Sequence, residues 1–110
     1  MKTFEQAFRS AQEALGLAHY DVRFASEPGA GNYASIEPDP ASCTAICRVD
    51  LELCEREQQT AQVAVHEVLH LLFAELRHAA SISDDTADWV EEQTVRKIEA
   101  VVFKGMFTVA

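Results

Sequence analysis

The chain has few basic residues and no long hydrophobic run. Its 110 residues include 9 lysines and arginines against 18 aspartates and glutamates, which gives a formal net charge of −9. Because nucleic-acid affinity comes largely from Lys and Arg at the phosphates, this balance argues against a nucleic-acid partner. No stretch approaches the roughly 18–20 apolar residues of a membrane helix, so no membrane association is expected.

Cysteine is also scarce, at three residues. Cys43, Cys47 and Cys54 form no Cys-x-x-Cys pair, and we interpret them as small apolar core residues rather than as a second metal site or a redox pair. Cys43 and Cys47 would share one face of a strand. The segment 1–6 is too polar for a secretory signal, so the sequence favours a cytoplasmic protein.

The remaining composition is typical of one globular domain covering residues 1–110. Hydrophobic residues make up 48% of the chain and charged residues 25%. Apolar periodicity and turn residues predict a helix, three strands and two more helices, over residues 3–17, 20–25, 33–37, 44–51, 55–77 and about 84–103. This order predicts an α+β fold in which the helices pack on a short three-stranded sheet.

The most informative motif is His66-Glu67-Val68-Leu69-His70 within the predicted helix 55–77. Residues i and i+4 lie one turn apart on the same face of a helix, so both imidazoles can bind one Zn²⁺ ion while Glu67 lies beside it. This is the H-E-x-x-H motif of zinc metallopeptidases. The expected number of chance matches to it in a chain of this composition is roughly 0.015. The alternative is a surface helix with two solvated histidines.

A third protein ligand is expected further along the chain. Some zinc peptidases place a Gly and a His three and six residues after the second histidine, but Phe73 and Leu76 occupy those positions. His78 lies on a different flank of the helix, and we interpret it as a polar residue near the helix C-terminus, where the dipole favours it.

Two adjacent glutamates on the last predicted helix are the better candidates. Glu91 falls about 40° from Ala87 on the helical wheel, inside the apolar arc, whereas Glu92 falls near 140°, outside it. A carboxylate on a buried stripe is costly unless it is paired or binds a metal. We therefore predict that Glu91 is the third ligand and that Glu92 is solvated, the alternative being a rotated helix with both acids in water.

The histidine pair, Glu67 and a glutamate on a separate helix together resemble the gluzincin class of zinc peptidases. The compact minigluzincins are the most similar type, and short phage-encoded metallopeptidases look alike as well. The resemblance implies a zincin-like domain with His66, His70 and Glu91 as zinc ligands and Glu67 as general base. Larger gluzincins carry an Asp four residues after the distal Glu to orient a ligand imidazole. Val95 stands there, which leaves that role to Asp88 or a backbone carbonyl.

The expected function is zinc-dependent hydrolysis of a peptide or protein substrate. Three protein ligands leave a position for water, whose pKa zinc lowers toward about 7, and Glu67 can accept its proton and pass it to the leaving amine. An exposed edge strand, 33–37 or 44–51, would hold the peptide extended. Tyr33 and His78 are the candidates for stabilising the tetrahedral intermediate.

Two other functions are open on the sequence alone. The chain could be a catalytically weak or inactive metal-binding protein that acts through a protein partner, or it could hydrolyse a substrate other than a peptide. A separate hypothesis concerns the apolar tail 105–110, which either restrains access to the metal or packs on the first helix.

Overall fold

The protein is described here from a computed structural model, which defines residues 1–29, 31–80, 91–92, 95–96 and 98. Helical backbone is also present at the described residues after position 90. The α+β class predicted from the sequence is confirmed. The elements are α1 (Lys2–Ala14), β1 (Asp21–Ser26), β2 (Ala34–Asp39), β3 (Thr44–Val49), α2 (Leu51–Arg56) and α3 (Thr60–Ala80).

The three strands form one mixed sheet in the order β1-β3-β2. β1 pairs parallel with β3, with Asp21 opposite Thr44, and β2 pairs antiparallel with β3, with Ala34 opposite Val49. β3 is therefore the central strand, and every second residue of it faces the core. This arrangement leaves β2 as an edge strand beside the motif helix, with which it is in contact.

The N-terminal helix packs through an aromatic cluster. Phe4 and Phe8 are fully buried, and the ring of Phe24 on β1 meets them edge-on at centroid distances of 6.1 and 5.1 Å. Arg9 lies over the other side of this cluster, with its guanidinium carbon 5.0 Å from the centre of the Phe24 ring. α1 also packs against α3, so the cluster supports the helix that carries the motif.

The motif helix is shorter than predicted at its N-terminus, because the chain breaks into two helices there. The Asp50 side chain accepts a hydrogen bond from the Leu53 backbone N–H, and this N-cap starts α2 where the prediction had still placed a strand. Gln58 then adopts a left-handed conformation, with φ of 54°, and ends the first helical segment before α3 begins at Thr60.

The cysteine prediction is confirmed for two of the three residues. Cys47 and Cys54 are fully buried, and burial raises the pKa of both thiols, as expected for structural cysteines. Cys43 is instead half-buried in the turn before β3, with a positive φ of 55°, and does not share a strand face with Cys47.

A hydrogen bond ties the start of β1 to the motif helix. Tyr20 is buried, and its hydroxyl donates to the Glu75 carboxylate on α3; burial and then this bond raise the pKa of the phenol above its ordinary value. We expect Tyr20→Phe to lower the free energy of unfolding by about 1–2 kcal/mol, because the carboxylate loses its donor.

Chemical denaturation measures this effect, with Tyr33→Phe as the matched control. Among the described residues the Tyr33 hydroxyl has no hydrogen-bond partner, so its loss should change stability by under about 0.5 kcal/mol. Equal losses in the two variants would show that the bond to Glu75 contributes nothing.

Several predictions fall outside the described residues. They are most of the last helix, predicted over about 84–103, the orienting role of Asp88 and the two hypotheses for the tail 105–110. Within the described part of the chain, no helix has the length and apolar character needed to cross a membrane.

Candidate metal centre

Both motif histidines lie on one flank of α3 and face a cleft. The opposite flanks of the helix are anchored by Val65, Val68 and Leu69, which are fully buried. The imidazoles retain 23% and 18% side-chain exposure, enough for access from solvent while most of each ring is fixed by its surroundings. The two rings are 4.8 Å apart and inclined at 67°.

The donor atoms that the structure brings together are Nε2 of His66, Nε2 of His70 and the carboxylate of Glu92. The two nitrogens are 3.1 Å apart; one carboxylate oxygen of Glu92 lies 2.9 Å from Nε2 of His70, and the other lies 3.5 Å from Nε2 of His66. A tetrahedral zinc ion with bonds of about 2.0–2.1 Å holds its donors about 3.3 Å apart. The three side chains therefore lie close enough together to share one ion.

Glu91 contacts the far side of the same histidine. Its Oε2 lies 3.0 Å from Nδ1 of His70, and its Oε1 accepts a hydrogen bond of 3.2 Å from Arg77. A carboxylate at Nδ1 places the imidazole proton there and leaves the Nε2 lone pair available for a metal. Glu91 therefore has the geometry of a residue that orients a ligand, and Arg77 balances its charge.

This arrangement differs from the predicted roles of the two glutamates. Glu91 is the more buried, at 15% side-chain exposure against 36% for Glu92, as the helical wheel indicated. The predicted ligand role of Glu91 rests on its burial, but Arg77 and His70 already partner the Glu91 carboxylate. Glu92, predicted to be solvated, is the acid beside both Nε2 atoms.

Electrostatics favour an ionised Glu92. Burial alone raises its pKa, but the hydrogen bond from Arg96 and the proximity of His70 and His66 together outweigh burial and lower it. Arg96 lies four residues after Glu92, with its Nε 3.1 Å from Oε1. A carboxylate must be ionised and an imidazole neutral to bind a metal, so of these causes only the contribution of Arg96 persists when the histidines act as ligands.

Glu67 lies beside the donor group without belonging to it. It is buried, and it lines the cleft together with the two histidines. The three grouped donors do not include its carboxylate.

The cleft has a volume of about 610 Å³ and lies between α3 and the edge strand β2. Residues 34–36 and Pro38 form the β2 wall, and Ala74 and Arg77 extend the α3 wall beyond His70. Since β3 is the central strand, β2 is the one of the two predicted alternatives whose outer edge has no neighbouring strand among the described residues.

The register shows which backbone groups β2 leaves free. The Asp50 N–H donates to the Tyr33 carbonyl, which makes this pair hydrogen-bonded across the ladder. Because hydrogen-bonded and non-bonded pairs alternate between antiparallel strands, the backbone groups of Ala34, Ile36 and Pro38 point away from β3. The position of Pro38 is consistent with this alternation, since proline has no N–H to donate to the neighbouring strand.

Arg77 is the site residue that the sequence reasoning missed. Its signal was present, because residues 66, 70, 74 and 77 follow one helical stripe on α3. The two candidates for stabilising a tetrahedral intermediate are elsewhere. His78 is exposed in the last turn of α3, and Tyr33 lines a neighbouring cavity rather than the cleft.

Comparisons of the chain with protein-family models, with curated proteins and with solved structures find no significant match. The functional reading accordingly depends on the geometry of the site.

Proposed function

We propose that this protein is a zinc-dependent peptidase whose metal is held by His66, His70 and Glu92. The observation that carries the proposal is the grouping of two Nε2 atoms and one carboxylate close enough together to share one ion. A buried glutamate and a free strand edge flank this group in one cleft. The similarity to gluzincins rests on the same residues, with Glu92 in the place first given to Glu91.

A bound Zn²⁺ would polarise the scissile carbonyl and lower the pKa of a water molecule in the open position. Glu67 would accept a proton from the attacking water as its oxygen bonds to the scissile carbon, and would deliver that proton to the amine nitrogen as the C–N bond breaks. Glu91 holds the proton of His70 on Nδ1, and Arg77 keeps the Glu91 carboxylate in place. The residues of the chain thus supply ligation, orientation and proton transfer.

The β2 edge supplies binding for an extended peptide. Ala34 and Ile36 each offer a backbone N–H and C=O to a strand lying in the cleft, whereas Pro38 offers only its C=O. A peptide that pairs with this edge passes over His66 and Glu67, which line the same cleft. Backbone pairing of this kind recognises extended peptides largely independently of their sequence.

A proline at the free edge tests this binding mode. Ala34→Pro removes an outward N–H and leaves the β3 ladder intact, so we expect kcat/KM to fall about 3- to 10-fold with little change in thermal stability. Ser35→Pro is the matched control: it removes an N–H that faces β3 and should lower Tm instead. Unchanged kcat/KM in Ala34→Pro would exclude β2 as the peptide-binding edge.

The test of the function itself is a peptide-library digest analysed by mass spectrometry. Protein with one equivalent of zinc should cleave, chelation should stop cleavage and zinc should restore it. Cleavage that survives chelation, or a zinc-loaded protein that cuts no peptide, would overturn the proposal.

The second candidate is a metal-binding protein without turnover, acting through a protein partner. One observation favours it: of the described residues that line the cleft, Arg77 is the only Lys or Arg, and it is paired with Glu91. Among the described residues that line the cleft, no other cationic side chain is placed to stabilise a developing oxyanion, so that role would fall to the metal. Substitution of Glu67 separates the two candidates, because it should abolish turnover in a peptidase and leave a purely binding activity intact.

A cytoplasmic location is part of the proposal. The three cysteines are all free, and two of them are fully buried in the core. Free buried thiols suit a reducing compartment, where disulfides are rare.

A further inference from the structure

A second cavity adjoins the cleft at the candidate metal centre. Its volume is about 340 Å³, and it shares Ala34, His66 and Glu67 with the cleft. The shared residues are those over which a peptide on the β2 edge would pass. A side chain next to the scissile bond of that peptide can therefore enter the second cavity.

The walls of this cavity are rich in carboxamides. Asn32, Gln59 and Gln62 line it, together with the ring of Tyr33 and the buried Val63. Among the described residues the side-chain amides of Asn32 and Gln59 have no hydrogen-bond partner, and Gln59 is half-buried. A carboxamide has two donor hydrogens and an acceptor oxygen, so these groups can bind a ligand that both donates and accepts.

The charges around the cavity are of both signs. Buried Glu67 repels a carboxylate and attracts a cation, and Arg96, which also lines the cavity, does the reverse. A neutral hydrogen-bonding side chain meets neither repulsion.

We propose that this cavity is a specificity subsite for a glutamine or asparagine side chain next to the scissile bond. Gln59 and Asn32 bind the substrate carboxamide, and Tyr33 and Val63 contact its apolar stem. Its role in substrate choice rests on the proposed peptidase function, but the binding of a carboxamide does not.

The binding test uses nuclear magnetic resonance on the full chain loaded with zinc. We expect N-acetylglutamine amide to shift the side-chain NH₂ resonances of Gln59 and Asn32, and N-acetylmethionine amide, of similar length, to leave them unchanged. Equal effects of the two probes on these resonances, or no effect of either, would overturn the subsite.

The catalytic test compares two series of peptides. In one series the residue before the cleaved bond is varied, and in the other the residue after it is varied. Glutamine should give a kcat/KM about 10-fold above methionine, since one or two net hydrogen bonds are gained. Gln59→Leu should remove this preference, whereas Gln58→Leu, the same change at an exposed neighbour outside the cavity, should keep it.

The two tests fail separately. Cleavage without glutamine preference and without shifts at Gln59 would overturn the subsite and leave the peptidase intact. Shifts that are specific to the glutamine probe in a protein that cleaves nothing would keep the subsite and overturn the peptidase.

Discussion

Glu67→Gln is expected to lower kcat by about 10²–10⁴-fold while the protein keeps one zinc ion per chain, because general acid–base catalysis contributes rate enhancements of this size. The substitution keeps the shape of a buried side chain and removes only its capacity to take up a proton. Glu67→Ala should give the same loss of turnover, at an additional cost in stability from the lost side-chain contacts. Stopped assays and metal analysis on the same preparations measure both quantities.

The control for this experiment is Glu75→Gln. Glu75 lies on the same helix, accepts a hydrogen bond from the Tyr20 hydroxyl and does not line the cleft. It should retain turnover. If Glu67→Gln loses zinc in proportion to activity, the residue acts on the metal and not on the proton. If it keeps full activity, Glu67 is not the general base.

Glu92→Ala is expected to weaken zinc binding by about 10²–10³-fold. Structural sites with four ligands bind zinc with about 10–16 kcal/mol, so one ligand contributes about a quarter of that free energy. Each 1.4 kcal/mol corresponds to a factor of ten in affinity, which gives the expected loss. Glu91→Gln should cost only about 10–100-fold, as expected for a carboxylate that orients a ligand imidazole. Competition with a chromophoric chelator gives both affinities.

The order of the two losses decides between the ligand predicted from the sequence and the one favoured by the structure. A larger loss for Glu91 than for Glu92 would restore Glu91 as the third ligand. Arg96→Gln is the matched control, since it removes the exposed ion-pair partner of Glu92 and leaves all three proposed metal ligands in place. Its effect on zinc affinity should stay below that of Glu92→Ala.

The sequence predicted the features of the fold that depend on local pattern. The i, i+4 spacing placed His66 and His70 on one face of a helix, and apolar periodicity located most of α1 and α3. The break between α2 and α3 was missed because the polar residues 55–60 include no Gly or Pro to mark it, although Asp50 before Leu-Glu-Leu was a readable N-cap signal. The position of β3 between β1 and β2 depends on long-range pairing, which a single sequence does not specify.

The site shows the same division between local and long-range information. Helical angles ranked the burial of Glu91 above that of Glu92, as the structure has it. They could not show that a cation from α3 would meet the buried acid, since Arg77 is 14 residues away along the chain. Once that ion pair exists, the burial of Glu91 needs no metal, and Glu92 is the acid whose carboxylate faces both Nε2 atoms.

Diffraction from zinc-soaked crystals, with anomalous data collected at the zinc edge, shows which side chains bind the ion. We expect one strong peak about 2.0–2.2 Å from Nε2 of His66, Nε2 of His70 and a carboxylate oxygen of Glu92. Glu91 should remain at Nδ1 of His70. A peak bound by Glu91 in place of Glu92, or no peak between the two histidines, would contradict the proposed ligand set.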